Sequence, residues 1–116
     1  MSIIMRRGND LRVLVNNVDQ DGVPFDVTQA NEIQWALAAS VDDRENILLE
    51  KTLTAADIVI TNDYGFYFDI TGVESDSLTA DTYYHEAVLT TADLYVYRII
   101  GEDATIQDAL INGTQI

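Results

Sequence analysis

Apolar residues recur at every second position along most of this chain. Leu11, Val13 and Val15 alternate with Arg12, Leu14 and Asn16. Ile33, Trp35, Leu37 and Ala39 make a second row, and Phe66, Phe68 and Ile70 a third, with Tyr67 and Asp69 on the opposite face. Side chains of an extended strand point to alternate faces, so this period predicts strands that each bury one face. "ENILLEKTL" (45–53) and "DIVI" (57–60) are short and aliphatic. "YYHEAVLT" (83–90) and "LYVYRII" (94–100) are aromatic and β-branched, which also favours strand. The serious helix candidate is "TQANEIQWALAAS". Its alanines favour helix, but the Ile33–Trp35–Leu37 alternation predicts a strand.

Turn residues punctuate these runs. "DQDG" (19–22) separates two strands, while "TNDYG" (61–65) and "TTAD" (90–93) each join a pair at hairpin distance. "GVESDSLTAD" (72–81) reads as a polar connection with one helical turn at "ESDSL". About seven to nine short strands with this spacing predict an all-β fold, an antiparallel β-sandwich of Ig-like or Greek-key type. Residues 1–116 read as a single β-sandwich domain. The ends are ambiguous. "MSIIM" reads as a short edge strand or, over 1–6, as an extended arm. "TIQDALINGTQI" reads as continuing the sheet before trailing out as an arm at 111–116.

Composition narrows the partners. Twenty acidic residues face six basic ones, a net charge of −14, so a phosphate backbone is a poor partner and no nucleic-acid contact is expected. The chain has no cysteine, which removes disulfides, thiolate metal sites and a thiol nucleophile. No apolar run approaches the ~20 residues of a membrane span, and the opening "MSIIMRRGND" has its arginines on the wrong side of the apolar patch for a secretory signal. Arg6, Arg7 and Arg12 lie in the first twelve positions, whereas the residues from Ile100 onward carry Glu102, Asp103 and Asp108 and no base. This basic start and acidic end either join neighbouring copies or are two solvated ends.

"VNNVDQDGVPFDV" (15–27) holds three aspartates, two asparagines and a glycine between two apolar runs. Asn17, Asp19, Asp21 and Gly22 fall at the first, third, fifth and sixth positions of an EF-hand calcium loop. The twelfth position, where a bidentate glutamate belongs, is Thr28, and no helical pattern flanks the stretch. Asp, Asn and Gly are also the residues of tight turns, so the stretch reads chiefly as a loop between strands, with Asn17, Asp19 and Asp21 as a weak calcium candidate. His85, the single histidine, reads as a partly buried or surface residue on a strand rather than a catalytic base. Its register is open: Tyr83, Ala87 and Leu89 face inward with it, or Tyr84 and Val88 do. Asp42-Asp43 and Glu102-Asp103 are expected in loops, without the fixed separation of a glycosidase pair. Trp35 sits in an apolar row and reads as core rather than as a sugar platform. No cofactor is expected.

The order of the turn segments resembles the small β-sandwich virion proteins of tailed bacteriophages and is similar to the N-terminal module of phage baseplate upper proteins. The residues that carry the likeness are Arg7-Gly8-Asn9-Asp10 before the first long strand and Asp21-Gly22-Val23-Pro24-Phe25-Asp26-Val27-Thr28-Gln29-Ala30 after it. Next come the aromatic strand of Ile33 and Trp35, and Leu78-Thr79-Ala80-Asp81-Thr82-Tyr83 before a late strand. Asp81 stands where that pattern has glycine, and Asn9 where it has an acidic residue. The resemblance implies a virion location after assembly in the bacterial cytoplasm, partners among other virion proteins, a homo-oligomer or symmetric array, and no catalysis. The alternatives are a capsid decoration protein, or a carbohydrate- or receptor-binding module that would need exposed aromatics. Expected contact residues lie at the two ends: Ile3, Ile4, Arg6, Arg7, Leu110, Ile111 and Ile116.

Overall fold

In a computed structural model that describes residues 2–20, 22–42 and 45–108, the period-two segments are strands. They are β1 (Ile3–Arg6), β2 (Leu11–Val15), β3 (Asp19–Gln20), β4 (Val23–Pro24), β5 (Ala30–Ala38), β6 (Ile47–Thr52), β7 (Ile58–Asn62), β8 (Gly65–Ile70), β9 (Asp81–Thr91) and β10 (Val96–Gln107). A single helical turn, α1 (Gly72–Asp76), links β8 to β9. The alternating alanine-rich segment is therefore strand, as its period predicts.

The strands form a five-stranded sheet, β1-β10-β9-β5-β6, a three-stranded sheet, β2-β8-β7, and the small β3-β4 ribbon. All pairings are antiparallel except β1 with β10. Hairpins β5-β6, β7-β8 and β9-β10 each stay within one of the two larger sheets, β3-β4 forms its own ribbon, and the remaining connections pass from one sheet to another. The order β2-β8-β7 is that of strands B, E and D of an immunoglobulin sandwich, and β10-β9-β5-β6 is that of G, F, C and C′ in the variable type.

Two local features fit the same arrangement. Trp35 lies on β5, the strand-C position, fully buried, with its ring 4.6 Å from that of Phe68 on the opposite sheet. Tyr83, near the start of β9, donates its hydroxyl to the carbonyl of Thr79 at 2.8 Å, the bond of a tyrosine corner. The inward rows meet between the sheets: Val13 and Val15, Phe66, Phe68 and Ile70 on one side, and Ile33, Trp35, Leu37, Tyr83, Ala87 and Leu89 on the other. Leu11, expected in this core, is only partly buried at its margin.

Of the two readings of the start, the edge strand is the one seen: Ile3–Arg6 lies at the sheet edge in register with Ala104–Gln107, with Ile3 and Met5 in the core. Two expectations change. β9 and β10 are long, at 11 and 12 residues, rather than short. Glu102 and Asp103 lie inside β10 instead of a loop.

The end of the sandwich that carries α1 is held by polar contacts from "RGND". Gly8 N–H donates to Ser75 Oγ at 3.0 Å, Gly72 N–H to Asp10 Oδ1 at 2.6 Å, and Arg7 to the Asp76 carbonyl at 3.1 Å. Arg7 also reaches Asp108 Oδ1 at 3.2 Å. The basic start thus pairs with an acid near the far end of its own chain.

Candidate functional site

Four connections leave the strands at the end opposite α1: residues 16–29 between β2 and β5, 53–57 between β6 and β7, the β7-β8 turn, and the β9-β10 turn. The topology and hydrogen bonds bring them together. Val18 N–H donates to the Tyr64 carbonyl at 2.9 Å and Val27 N–H to the Asp63 carbonyl at 2.8 Å. Phe25 packs on Tyr97 with ring centroids 5.2 Å apart. Glu32 Oε1 accepts the N–H groups of Leu53 and Thr54 at 3.0 and 3.1 Å. In a variable-type sandwich this is the end of the B–C and F–G loops.

The opening polar stretch is built here as a turn. Asp19 pairs with Pro24 and Gln20 with Val23 across a two-residue connection. Gly22 has φ +84°, a conformation that glycine adopts at no steric cost, and donates its N–H to Asp19 Oδ2 at 2.8 Å. The Asp19 carboxylate is thereby turned to the backbone of its own ribbon. Asp21 lies outside the described residues. Among the described residues no three His, Cys, Asp or Glu side chains are placed to hold a metal ion. Asp26 instead caps the 3₁₀ turn Val27–Gln29. The Thr28 hydroxyl and then the Thr28 N–H hold its carboxyl below the ordinary range.

Among the described residues, three non-glycine residues have left-handed backbones, Asn17 (φ +54°), Ala56 (φ +65°) and Leu94 (φ +65°), and all three lie in these loops. Asparagine tolerates this region; for leucine it costs about 1–2 kcal/mol. Leu94 closes a three-residue hairpin loop in which its N–H and that of Thr91 bond Thr91 O and Tyr95 O, each at 3.0 Å. This is the position such loops ordinarily give to glycine. Leu94, Tyr95 and Val96 are 77%, 63% and 64% exposed, so the strained residue heads a run of three solvent-facing apolar side chains. Val23 on β4, at the same end, is 65% exposed.

His85 is not at the surface. It is fully buried, and the Trp35 indole N–H donates to its Nδ1 at 3.0 Å. The register is settled with Tyr83, Ala87 and Leu89 facing inward beside it. Of the expected contact residues, Ile3 is in the core, Ile4 is exposed on β1, Arg6 is exposed, and Arg7 is tied to Asp76 and Asp108. Leu110, Ile111, Ile116 and Asp43 lie outside the described residues. In sequence, Leu94–Val96 reads only as the start of the strand "LYVYRII". Its sequence signal is a leucine directly after "TTAD", where a short hairpin wants glycine.

Lys51, mostly buried beneath α1, is held by both carboxylate oxygens of Glu74 at 2.8 and 2.7 Å. Burial alone would raise the Glu74 carboxyl, but the Lys51 ammonium and the Thr71 N–H outweigh it and hold it below its ordinary 4.5. Partial burial likewise pushes Glu32 up, and bonds from the Thr54 hydroxyl and backbone N–H groups bring it below 4.5. A carboxyl lowered on folding contributes stability that is present above its unfolded value and lost as pH falls through the folded one. Acidification also relieves the self-repulsion of the −14 charge, so the local effect is best read against Glu74→Gln. That variant is expected to be less stable than the parent at pH 7, with the gap in urea midpoint closing below about pH 4.5. A gap unchanged down to pH 3 would remove the Glu74–Lys51 bond as its source.

No protein-family model matches the chain, and no curated protein matches it.

Proposed function

We propose that this chain is a non-enzymatic structural subunit of a bacteriophage particle, in the tail, baseplate or neck, and acts through protein–protein contacts. The phage assignment rests on the resemblance of its turn motifs. The contact mode rests on one observation: an exposed apolar tip at Leu94–Val96 that begins with a leucine in a left-handed backbone conformation. Other features support the reading. The lone histidine accepts a hydrogen bond from Trp35 in the core, so its Nδ1 is committed to packing rather than to activating a nucleophile. Trp35, the residue a sugar platform would have to expose, is fully buried. No helix among the described residues is long and apolar enough to cross a membrane.

The resembling motifs have architectural roles in this chain. Arg7-Gly8-Asn9-Asp10 fastens the β1-β2 turn to α1, Asp26 caps a turn, and Leu78 and Tyr83 are buried at the tyrosine corner. Labelling the chain with a fused tag and imaging particles of the phage that encodes it is expected to place it at the tail, baseplate or neck. Label over the capsid shell would replace this reading with a decoration role, and particles without label would end it.

A further inference from the structure

We propose that the β9-β10 tip is a docking knob: Leu94, Tyr95 and Val96 insert into an apolar socket, rimmed by Lys and Arg, on another virion protein. The proposal rests on the virion reading above and names the surface and the chemistry of its partner.

Three independent observations converge on the tip. Its three apolar side chains are exposed in succession, beyond what scattered surface apolar residues need explaining. Leu94 is held at φ +65° where glycine would fit without strain, so its side chain comes at a cost to stability. The charge around it has one sign. The described residues of the loops at this end, within 16–29, 53–57, 61–64 and 92–95, include Asp19, Asp26, Asp57, Asp63 and Asp93 and no Lys or Arg. Arg12, Lys51 and Arg98 lie on strands and are ion-paired with Asp69, Glu74 and Glu86. An apolar centre within an acidic rim fits a socket of opposite charge, where the centre supplies affinity and the rim supplies orientation and rate. The same charge disfavours a second copy docking tip to tip, a nucleic acid, and an anionic membrane.

The test uses particles made without this chain, to which the purified full-length protein is added and its bound copies counted against concentration. Leu94→Gly relieves the backbone, so it is expected to melt a few degrees higher than the parent while binding at least about tenfold more weakly. Tyr95→Ser is expected to lose about as much binding with an unchanged melting temperature. Asp93→Lys is expected to bind more weakly, and the parent's affinity to fall as salt rises. Val73→Ser, at an exposed position of α1 at the opposite end, is expected to bind like the parent. Parent-like binding by Leu94→Gly and Tyr95→Ser sinks the knob while leaving the virion reading standing. Parent-like binding by Asp93→Lys sinks the basic rim. A parent that self-associates through the tip in sedimentation, with Leu94→Gly monomeric, makes the occupant a second copy and overturns the proposal. A parent that binds no particle overturns the virion reading and the proposal with it.

Discussion

Gly72→Ala is expected to lower the melting temperature by roughly 10–15 °C, a loss of about 2–4 kcal/mol. The reason is space, not backbone conformation. A Cβ on Gly72 would stand 2.5 Å from the carbonyl oxygen of Gly8, 3.1 Å from its carbon and 3.4 Å from Asp10 Oδ1. The nearest of these is a backbone atom, so no side-chain rotation relieves the clash. The β1-β2 turn must move away from α1. That motion strains the Gly72 N–H bond to Asp10 and the Gly8 N–H bond to Ser75, whose hydroxyl is wholly buried and also bonds Asn9 O and Gly72 O. Each such bond is worth about 1 kcal/mol, and an orphaned buried group costs more. Val73→Ala, one residue on and 74% exposed, is the control and is expected to change little. Thermal unfolding of both variants decides the matter: a Gly72→Ala protein within about 2 °C of the parent would show that "RGND" does not hold the two sheets at this end.

The strands, the inward rows and two of the hairpins were legible because each depends on spacing within one short segment. Where the spacing is broken, legibility fails for an identifiable reason. The pairing of β10 with β9 slips between Arg98 and Ile100, and Gly101, Glu102 and Asp103 are all exposed. A bulge followed by three solvent-facing residues erases the alternation, so the middle of one long strand imitates a loop. His85 was ambiguous because Tyr83, Tyr84, His85 and Glu86 present amphipathic side chains to both faces. Its inward turn is fixed by the Trp35 indole, 50 residues away in sequence. The candidate surface was the least legible feature. No residue pattern announces that four separate loops share one end; that follows only from strand order. The cost at Leu94 is a φ angle, which residue identities do not print.

The second large effect concerns what replaces the disulfide. In an antibody sandwich the strand-C tryptophan packs against a bridge between strands B and F, and the F cysteine lies two residues past the corner tyrosine. This chain has no cysteine, and the residue two past Tyr83 is His85. It takes a hydrogen bond from Trp35 instead. That bond lies within the five-stranded sheet, so adhesion between sheets falls to packing, above all Trp35 on Phe68. Trp35→Phe is expected to cost about 3 kcal/mol, from lost ring volume together with a buried Nδ1 left without a donor. His85→Leu keeps comparable bulk but strands the indole N–H, and is expected to cost about 1–3 kcal/mol. The double variant removes both ends of the bond and orphans neither. Its cost is therefore expected to fall short of the sum by about 1–2 kcal/mol, a coupling that urea denaturation of the four proteins measures directly. Additive costs would mean that the two side chains stabilise the core as separate packing elements and that the histidine could be any residue of its size. A coupled result would mean that a single neutral hydrogen bond orients the tryptophan against Phe68 where antibody sandwiches have a covalent bridge.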